Sequence, residues 1–327
     1  MQAAIITRFG GPEVLEIQDV PMAEAVADEV LVRVHAAALN RADLLQRKGQ
    51  YPAPAGSPTD IPGMEFAGEV SAIGPLVTGW QPGQRVFGIC GGGAQAEYVI
   101  AHPRMLMEIP YGMSWTEAAA IPEAFITAHD ALWIQAGLRP NERVLINAVG
   151  SGVGLAAVQL VRAMGAQAFG TARTQSKLDR AQQLGMVAGW MVGSGQDLSL
   201  AGAVAEQKFD VVLELAGGDY VAGDLAALAL RGRLMLVGTM AGATAKINLS
   251  LVLTKRLRVI GTVLRSRRVE EKIAATQAFA KEALPLFAKG ELQAVVDQVF
   301  PLDQIAEAHR YMESNSNSGK IVLSISD

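Results

Sequence analysis

The sequence predicts an α/β chain in two parts: a β-rich part formed by both chain ends, and a doubly wound parallel-sheet domain between them. Three observations carry this. Short apolar runs punctuated by Gly and Pro fill roughly the first 120 residues. From residue 144 onward, strand-like runs alternate with helical stretches. Where the first of these strands meets the first helix, glycines stand at 150, 152 and 154.

In order along the chain, residues 3–6, 30–34, 69–73, 85–89 and 97–100 are short apolar or alternating runs bounded by turn residues, as strands are. Their close spacing predicts an irregular barrel or a bent sheet. Residues 144–147, 167–171, 189–192, 210–215, 233–237 and 259–263 are the next strand candidates, most of them separated by helices over 154–164, 177–184 and 220–230. That alternation predicts a parallel sheet covered on both faces. Gly165 and Gly185 stand just past two of the helices, where a left-handed residue closes a helix. The tail reads as a helix over 270–289 interrupted by Pro285, a strand over 294–300, a helix over 304–312 with Asp303 as N-cap, and a strand over 321–325. Too small to fold alone, the tail is expected to complete the first domain. The predicted domains are 1–122 with 270–327, and 123–269.

Composition narrows the function classes. A chain of 327 residues is long enough for two cores. A net charge of −4 supplies no global field for nucleic acid or an anionic membrane. No basic stripe with interleaved aromatics suggests single-stranded nucleic acid. No apolar run approaches the ~18 residues of a spanning helix, and the start lacks the basic and apolar regions of a signal peptide. Cys90 is the only cysteine, so no internal disulfide can form, which suits a cytoplasmic protein.

The sharpest local signal is the run from Val144 through Gly150-Ser151-Gly152-Val153-Gly154, an apolar strand entering glycines and then an amphipathic helix. Glycines there permit a tight turn and close approach of a pyrophosphate to the helix N-terminus. Leu155 occupies the last glycine position of the strict G-x-G-x-x-G pattern, and the plain alternative is a Gly-rich turn. An NAD site usually places a carboxylate about 20 residues after the loop, for the ribose hydroxyl. Here the next strand ends in Ala172, followed by Arg173, Thr174 and then Lys177. A missing carboxylate with two cations close by favours a 2′-phosphate, hence NADPH. The alternative is a solvated basic first turn, although basic residues are mildly unfavourable at a helix N-terminus.

With these residues in view, the chain resembles the zinc-independent quinone oxidoreductase family of the medium-chain dehydrogenase/reductase superfamily, and most of all its p53-inducible subgroup. The resemblance runs through Gly10-Gly-Pro-Glu-Val-Leu, Ala38-Leu-Asn-Arg-Ala-Asp43, Gly49-Gln-Tyr-Pro and Pro62-Gly-Met-Glu-Phe-Ala-Gly68. It continues in Gly83-Gln-Arg-Val, Gly91-Gly-Gly-Ala-Gln-Ala-Glu-Tyr98, Ala120-Ile-Pro-Glu-Ala-Phe-Ile-Thr-Ala128, Leu264-Arg-Ser-Arg and Gly319-Lys-Ile-Val-Leu. It implies a GroES-like β-rich catalytic domain built from both chain ends, a Rossmann cofactor domain inserted between, a cleft between them, and a homodimer.

The resemblance also implies site residues. Tyr51, Asn40 and Asp43 match positions near the nicotinamide, with Tyr51 either donating a hydrogen bond or proton to the acceptor or packing as a turn residue before Pro52; Asn40 and Asp43 alternatively hold the local loop. Thr127 is implied to face the nicotinamide. Gly150 to Gly154 with Arg173, Thr174 and Lys177 are expected to hold the phosphates, and Val237, Gly238, Leu264, Arg265 and Ser266 to complete the cofactor site. Three departures stand out: Val192 where a tyrosine near the 2′-phosphate is frequent, Glu214 where Asp is commoner, and His129 where an aromatic ring is frequent.

Zinc-dependent relatives hold their catalytic metal with an early Cys and the His of a Gly-His-Glu segment. This chain has Asn40 at the first place and Gly63-Met64-Glu65 at the second, and methionine is a poor ligand for Zn²⁺. One cysteine excludes a four-cysteine structural site, and His35, His102, His129 and His309 show no ligand spacing. A metal-free protein is therefore expected. Lacking a Lewis acid to stabilise an alkoxide, it suits reduction of an electron-poor acceptor such as a quinone. The rival expectations are an NADPH-dependent 2-alkenal or enone reductase, and a non-catalytic, crystallin-like NADPH-binding protein.

Overall fold

The computed structural model describes residues 1–193 and 207–325. The backbone packs into two units, Met1–Ile126 with Leu264–Asp327, and Thr127–Val263. The sequence places the same junctions at 122/123 and 269/270.

The chain opens with β1 (Gln2–Ile6) and β2 (Leu15–Asp19), which pair antiparallel. Then come β3 (Val30–Ala38), α1 (Arg41–Arg47), β4 (Glu65–Ile73), β5 (Arg85–Ile89), β6 (Tyr98–Ala101) and β7 (Leu106–Glu108). Two helices follow, α2 (Trp115–Ala119) and α3 (Pro122–His129). In β3 only Arg33 is exposed, so this strand lacks the alternation of a half-buried one and is covered on both faces.

The second unit contains β8 (Arg143–Ile146), α4 (Gly152–Ala163), β9 (Gln167–Ala172), α5 (Gln175–Gln183) and β10 (Ala188–Met191). It continues with β11 (Phe209–Glu214), α6 (Tyr220–Ala227), β12 (Leu228–Leu236), α7 (Leu249–Lys255) and β13 (Arg258–Gly261). The tail supplies α8 (Val269–Glu282), α9 (Leu284–Ala288), β14 (Val296–Pro301), α10 (Ile305–Glu313) and β15 (Lys320–Ser324).

The inserted unit is a six-stranded sheet in the order β10-β9-β8-β11-β12-β13, and every pair is parallel. β8 comes first in the chain but lies in the middle, so the strand order reverses at its end, the place where such sheets take ligands. Its core packs Phe169 edge-on to Phe209 at 5.5 Å, with Trp190 alongside.

The other unit contains a seven-stranded sheet, six strands in the order β14-β15-β3-β4-β5-β7 and β6 off that path against β3. β15 pairs with Ala36–Ala38 of β3 while β6 pairs with Val30–Arg33, and β4 takes the opposite edge. The tail thus contributes β14 and β15 to this sheet.

Several elements depart from the sequence reading. The helix expected over 220–230 stops at Ala227, because Leu228 is fully buried as a strand residue opposite Phe209. A register shift follows, with Arg231 in the left-handed region (φ 64°), before β12 resumes against β11. The tail helix breaks at Ala283 and restarts as α9 with Pro285 in its first turn, where a missing N–H costs nothing. Asp303 is not the N-cap of α10: it lies in a 3₁₀ turn (Leu302–Gln304), and Gln304 takes the cap position. The short β2, β7, α1, α2 and α7 and the apolar α3 carry too little periodicity to announce themselves.

Candidate active site

Two sets of residues come together, one in each unit. In the inserted unit, β8 ends at Ile146 and the chain turns through Asn147 and Ala148 (φ 51°) into the α4 N-terminus. Ser151 is the N-cap, its Oγ accepting the Gly154 N–H at 3.1 Å. A side chain at Gly154 would place its Cβ 2.5 Å from the Val149 carbonyl oxygen. One at Gly150 would meet the Lys177 side chain at 2.7 Å, so the lysine stem lies over this glycine. The turn therefore brings bare backbone, the first-turn N–H groups of α4 and a lysine to one place.

β9 ends at Ala172, and Arg173 and Thr174 lead into α5, of which Thr174 is the N-cap. Because α5 begins at Gln175, Lys177 sits inside its first turn, which holds no acidic residue. Arg173 is exposed and Lys177 half-buried. Val192 donates its N–H to the Ala172 carbonyl at 2.9 Å while its side chain packs on the core, offering no hydroxyl there. After β12, Val237 and Gly238 donate to the Glu214 carbonyl, and a Cβ at Gly238 would sit 2.4 Å from the Leu215 carbonyl oxygen.

Beneath this turn Asn147 joins the strand ends. Its Nδ2 donates to Glu214 (2.5 Å) and Asp224 (2.8 Å), and its Oδ1 accepts from Thr171 (2.7 Å). Glu214 also accepts the N–H groups of Ala216 and Gly217. All four of Asn147, Thr171, Glu214 and Asp224 are fully buried. Burial, then the nearby Glu214 charge, raises the Asp224 carboxyl well above its ordinary value.

In the other unit, Asn40 caps α1 and lies in a buried cluster. Its N–H donates to Asp43 at 2.8 Å, and its Nδ2 donates to Glu65 at 2.8 Å. Lys320 Nζ donates to the Asn40 Oδ1 (2.8 Å) and the Leu39 carbonyl (2.7 Å), and pairs with Glu65 at 2.6 Å. Asp43 is fully buried and accepts from Gly63 N–H (3.2 Å) and Gln95 Nε2 (3.4 Å). Burial outweighs these donors and pushes its carboxyl up to about 6. Both ends of the Asn40 amide and both Asp43 oxygens are thus committed to the fold.

Tyr51 follows α1 after Gly49, which adopts φ 72° and packs against Phe9 too closely for a Cβ. Its ring lies 5.5 Å from the Arg265 guanidinium, and its hydroxyl has no partner among the described residues. Arg265 donates through Nε to the Gly91 carbonyl (2.8 Å) and through Nη2 to Gln46 (2.6 Å), while its buried Nη1 has no partner. Leu264 and Arg265 are buried, Ser266 is exposed, and all three belong to the unit containing Tyr51. His129 is fully buried and packs on Trp133 at 4.9 Å.

Lys320 and Glu123 carry parts of this arrangement that sequence reasoning passed over. Each has a signal in hindsight: a charged residue opening or interrupting an apolar run, Lys320-Ile-Val-Leu and Pro122-Glu-Ala-Phe-Ile.

Comparison with known proteins agrees with both units. Residues 26–111 match the alcohol dehydrogenase GroES-like domain, and residues 188–323 match the zinc-binding dehydrogenase family. The chain is 34% identical to a quinone oxidoreductase of Pseudomonas aeruginosa, over 96% of this chain and 97% of that protein. It is 32% identical to a quinone oxidoreductase of Lama guanicoe, over 99% and 97%. The Escherichia coli quinone oxidoreductase complexed with NADPH superposes with a TM-score of 0.87 at 28% identity, covering 99% of this chain and 100% of that one. The chain belongs to the quinone oxidoreductase family of the medium-chain dehydrogenases/reductases.

Proposed function

We propose that this protein is a zinc-free, NADPH-dependent quinone reductase that works as a cytoplasmic homodimer. The observation that carries it is the turn at the end of β8. There Gly150, Gly154 and Ser151 leave backbone open at a helix N-terminus, Lys177 lies over Gly150, and Arg173 follows a strand that ends without a carboxylate. Gly150 to Gly154 would take the pyrophosphate, and Arg173, Thr174 and Lys177 the 2′-phosphate. Val237, Gly238 and Thr127 would flank the rest of the dinucleotide. When bound, NADPH supplies a hydride.

The chain's own residues supply position and polarity. Tyr51, with its free hydroxyl, donates a hydrogen bond to the acceptor oxygen. Asn40 and Asp43 act as positioning residues, since their polar atoms are used in holding α1 and the segment before Tyr51. Arg265 and Leu264 support the same loop, and Ser266 remains exposed for the dinucleotide. The metal-free reading is supported by the donors themselves: Asn40 Oδ1 already accepts from Lys320, and Met64 offers a thioether. Among the described residues, no group of three or more His, Cys, Asp or Glu is placed to hold a metal.

The dimer is supported by the edge strand β13, where Val259 is about half exposed, as is Val263 just past it, with Leu253 on α7 74% exposed. A second copy pairing along β13 would cover them. The location is supported by the single buried cysteine, and no helix among the described residues is long and apolar enough to cross a membrane.

The deciding experiment follows NADPH oxidation with 1,2-naphthoquinone and with a simple enone, before and after exhaustive chelation. Quinone turnover that exceeds enone turnover and survives chelation is expected; the reverse ranking would identify an enone reductase, and zinc-restored activity would refute the metal-free reading. Replacing both Arg173 and Lys177 by Ala should weaken NADPH binding about tenfold or more, about 1.4 kcal/mol, with NADH nearly unchanged. Equal losses for both dinucleotides would defeat the 2′-phosphate assignment.

A further inference from the structure

Every residue of α3 is buried except Glu123 and Thr127. Residues four apart on a helix are neighbours on one face, so these two share the one strip of α3 that is not buried, and both are half-buried there. Thr127 is the residue read above as flanking the dinucleotide; Glu123 lies one turn nearer the helix start. The Glu123 N–H donates to Glu65 at 2.8 Å, but its carboxyl has no hydrogen-bond partner among the described residues.

The charged and titratable groups facing this carboxyl are committed elsewhere or stand off. Glu65 and Lys320 are paired with each other and with Asn40. Asp43 is tied to Asn40 and Gly63, and Arg265 to Gly91 and Gln46. Lys272, on the buried side of α8, and Cys90 feel the Glu123 charge without bonding to it. Burial, then the Glu65 charge, raises the Glu123 carboxyl to about 8.

We propose that Glu123 is the proton donor to the acceptor, its free carboxyl on the half-buried strip of α3 delivering the hydrogen that hydride transfer does not supply. The inference rests on the quinone-reductase reading. Two-electron reduction adds a hydride and a proton to the quinone. As the acceptor is reduced and the dinucleotide oxidised, negative charge appears on a quinone oxygen. The Glu123 O–H bond breaks, a new O–H bond forms on that oxygen, and the carboxylate left behind recovers a proton from water. The sum is quinone + NADPH + H⁺ → hydroquinone + NADP⁺. Asp43 is unsuited to the step because it is fully buried and bonded inward, and Lys320 because its ammonium is fully engaged.

Glu123→Gln keeps the shape and removes the proton. It should lower kcat for naphthoquinone about tenfold or more, with NADPH affinity within about twofold of wild type. The wild-type kcat should fall as pH rises through about 8, and the variant should lose that alkaline limb. Infrared difference spectra of the protein without dinucleotide give an independent readout: a carboxylic-acid band that titrates away near pH 8 in the wild type and is missing in the variant. Should the glutamine variant not fold, Glu123→Asp serves, with reduced kcat but the alkaline limb retained. An unchanged rate and pH profile in Glu123→Gln, loss of the limb in Glu123→Asp, or no titrating band would overturn the proposal while wild-type turnover leaves the function intact. A wild type that reduces no quinone would instead bring down the function and this step with it.

Discussion

Each unit of this protein is tied together beneath its functional residues by an asparagine just past a strand, half-buried in one and fully buried in the other, and the two clusters handle charge in opposite ways. Asn40, after β3, bridges Glu65 to the fold, and the Lys320 ammonium sits 2.6 Å from that carboxylate. Asn147, after β8, bridges two carboxyl groups, Glu214 and Asp224, with no cation among the described residues bonded to either. Where lysine is present, an ammonium lies against the buried acid. Where it is absent, the second acid must keep a proton, and Asp224 is accordingly held well above its ordinary range, by burial first and by the Glu214 charge second. A buried carboxylate needs a partner, and these two units show a cation and a proton doing the same job.

The strongest way to break the contrast is Lys320→Met, which keeps most of the stem and removes the charge. Glu65 would then be a buried, uncompensated carboxylate, and loss of one partner of a buried pair costs about 3–5 kcal/mol. Urea denaturation should show that loss, and adding Glu65→Gln should restore part of it. A single variant as stable as wild type would mean that the ammonium is not what compensates Glu65.

Glu214→Gln asks the same question of the other cluster and should cost less, about 1.5–3 kcal/mol. The amide keeps an acceptor for Ala216 and Gly217 but loses the charge that strengthens those bonds. Because Asp224 then faces no negative neighbour, its raised value should drop, a shift readable by NMR titration. An Asp224 value that does not move would assign the shift to burial alone.

The sequence made the α/β alternation, the glycine turn and the return of the tail legible because each is local or follows from length. The clusters compared here were not legible, for a geometric reason. Glu65 and Lys320 stand at distant points in the chain, and only the pairing of β15 with β3 brings Lys320 beside Leu39 and Asn40. Asp224 read as an ordinary polar residue of α6; its burial comes from the helix packing over β11 and β12. Asn40 and Asp43 were visible as a motif, but whether they face an acceptor or the interior depends on Glu65, Lys320 and Gln95, which no spacing rule connects to them. Leu228 was assigned to a helix because Leu and Ala favour one, and its burial opposite Phe209 overrode that preference.

The finest test is Asp224→Asn, where the comparison predicts a change of slope more than a change of stability. Asp224 binds its proton more tightly folded than unfolded, so the stability it contributes is fully present below the unfolded carboxyl value near 3.9 and is lost as pH rises through the raised folded value. Asparagine carries no proton to lose, and its amide can donate to Glu214 as the protonated acid does. Below about pH 3.9 the two proteins should therefore differ by no more than about 1 kcal/mol. As pH rises further the wild type should lose stability that the variant keeps, so the variant becomes the more stable of the two. Urea unfolding at several pH values, followed by the fluorescence of Trp190 against Phe169 and Phe209, reads this slope in the unit that contains the pair. Parallel stability–pH curves would show that Asp224 is already ionised when folded, and the contrast between a cation and a proton as the compensating charge would collapse.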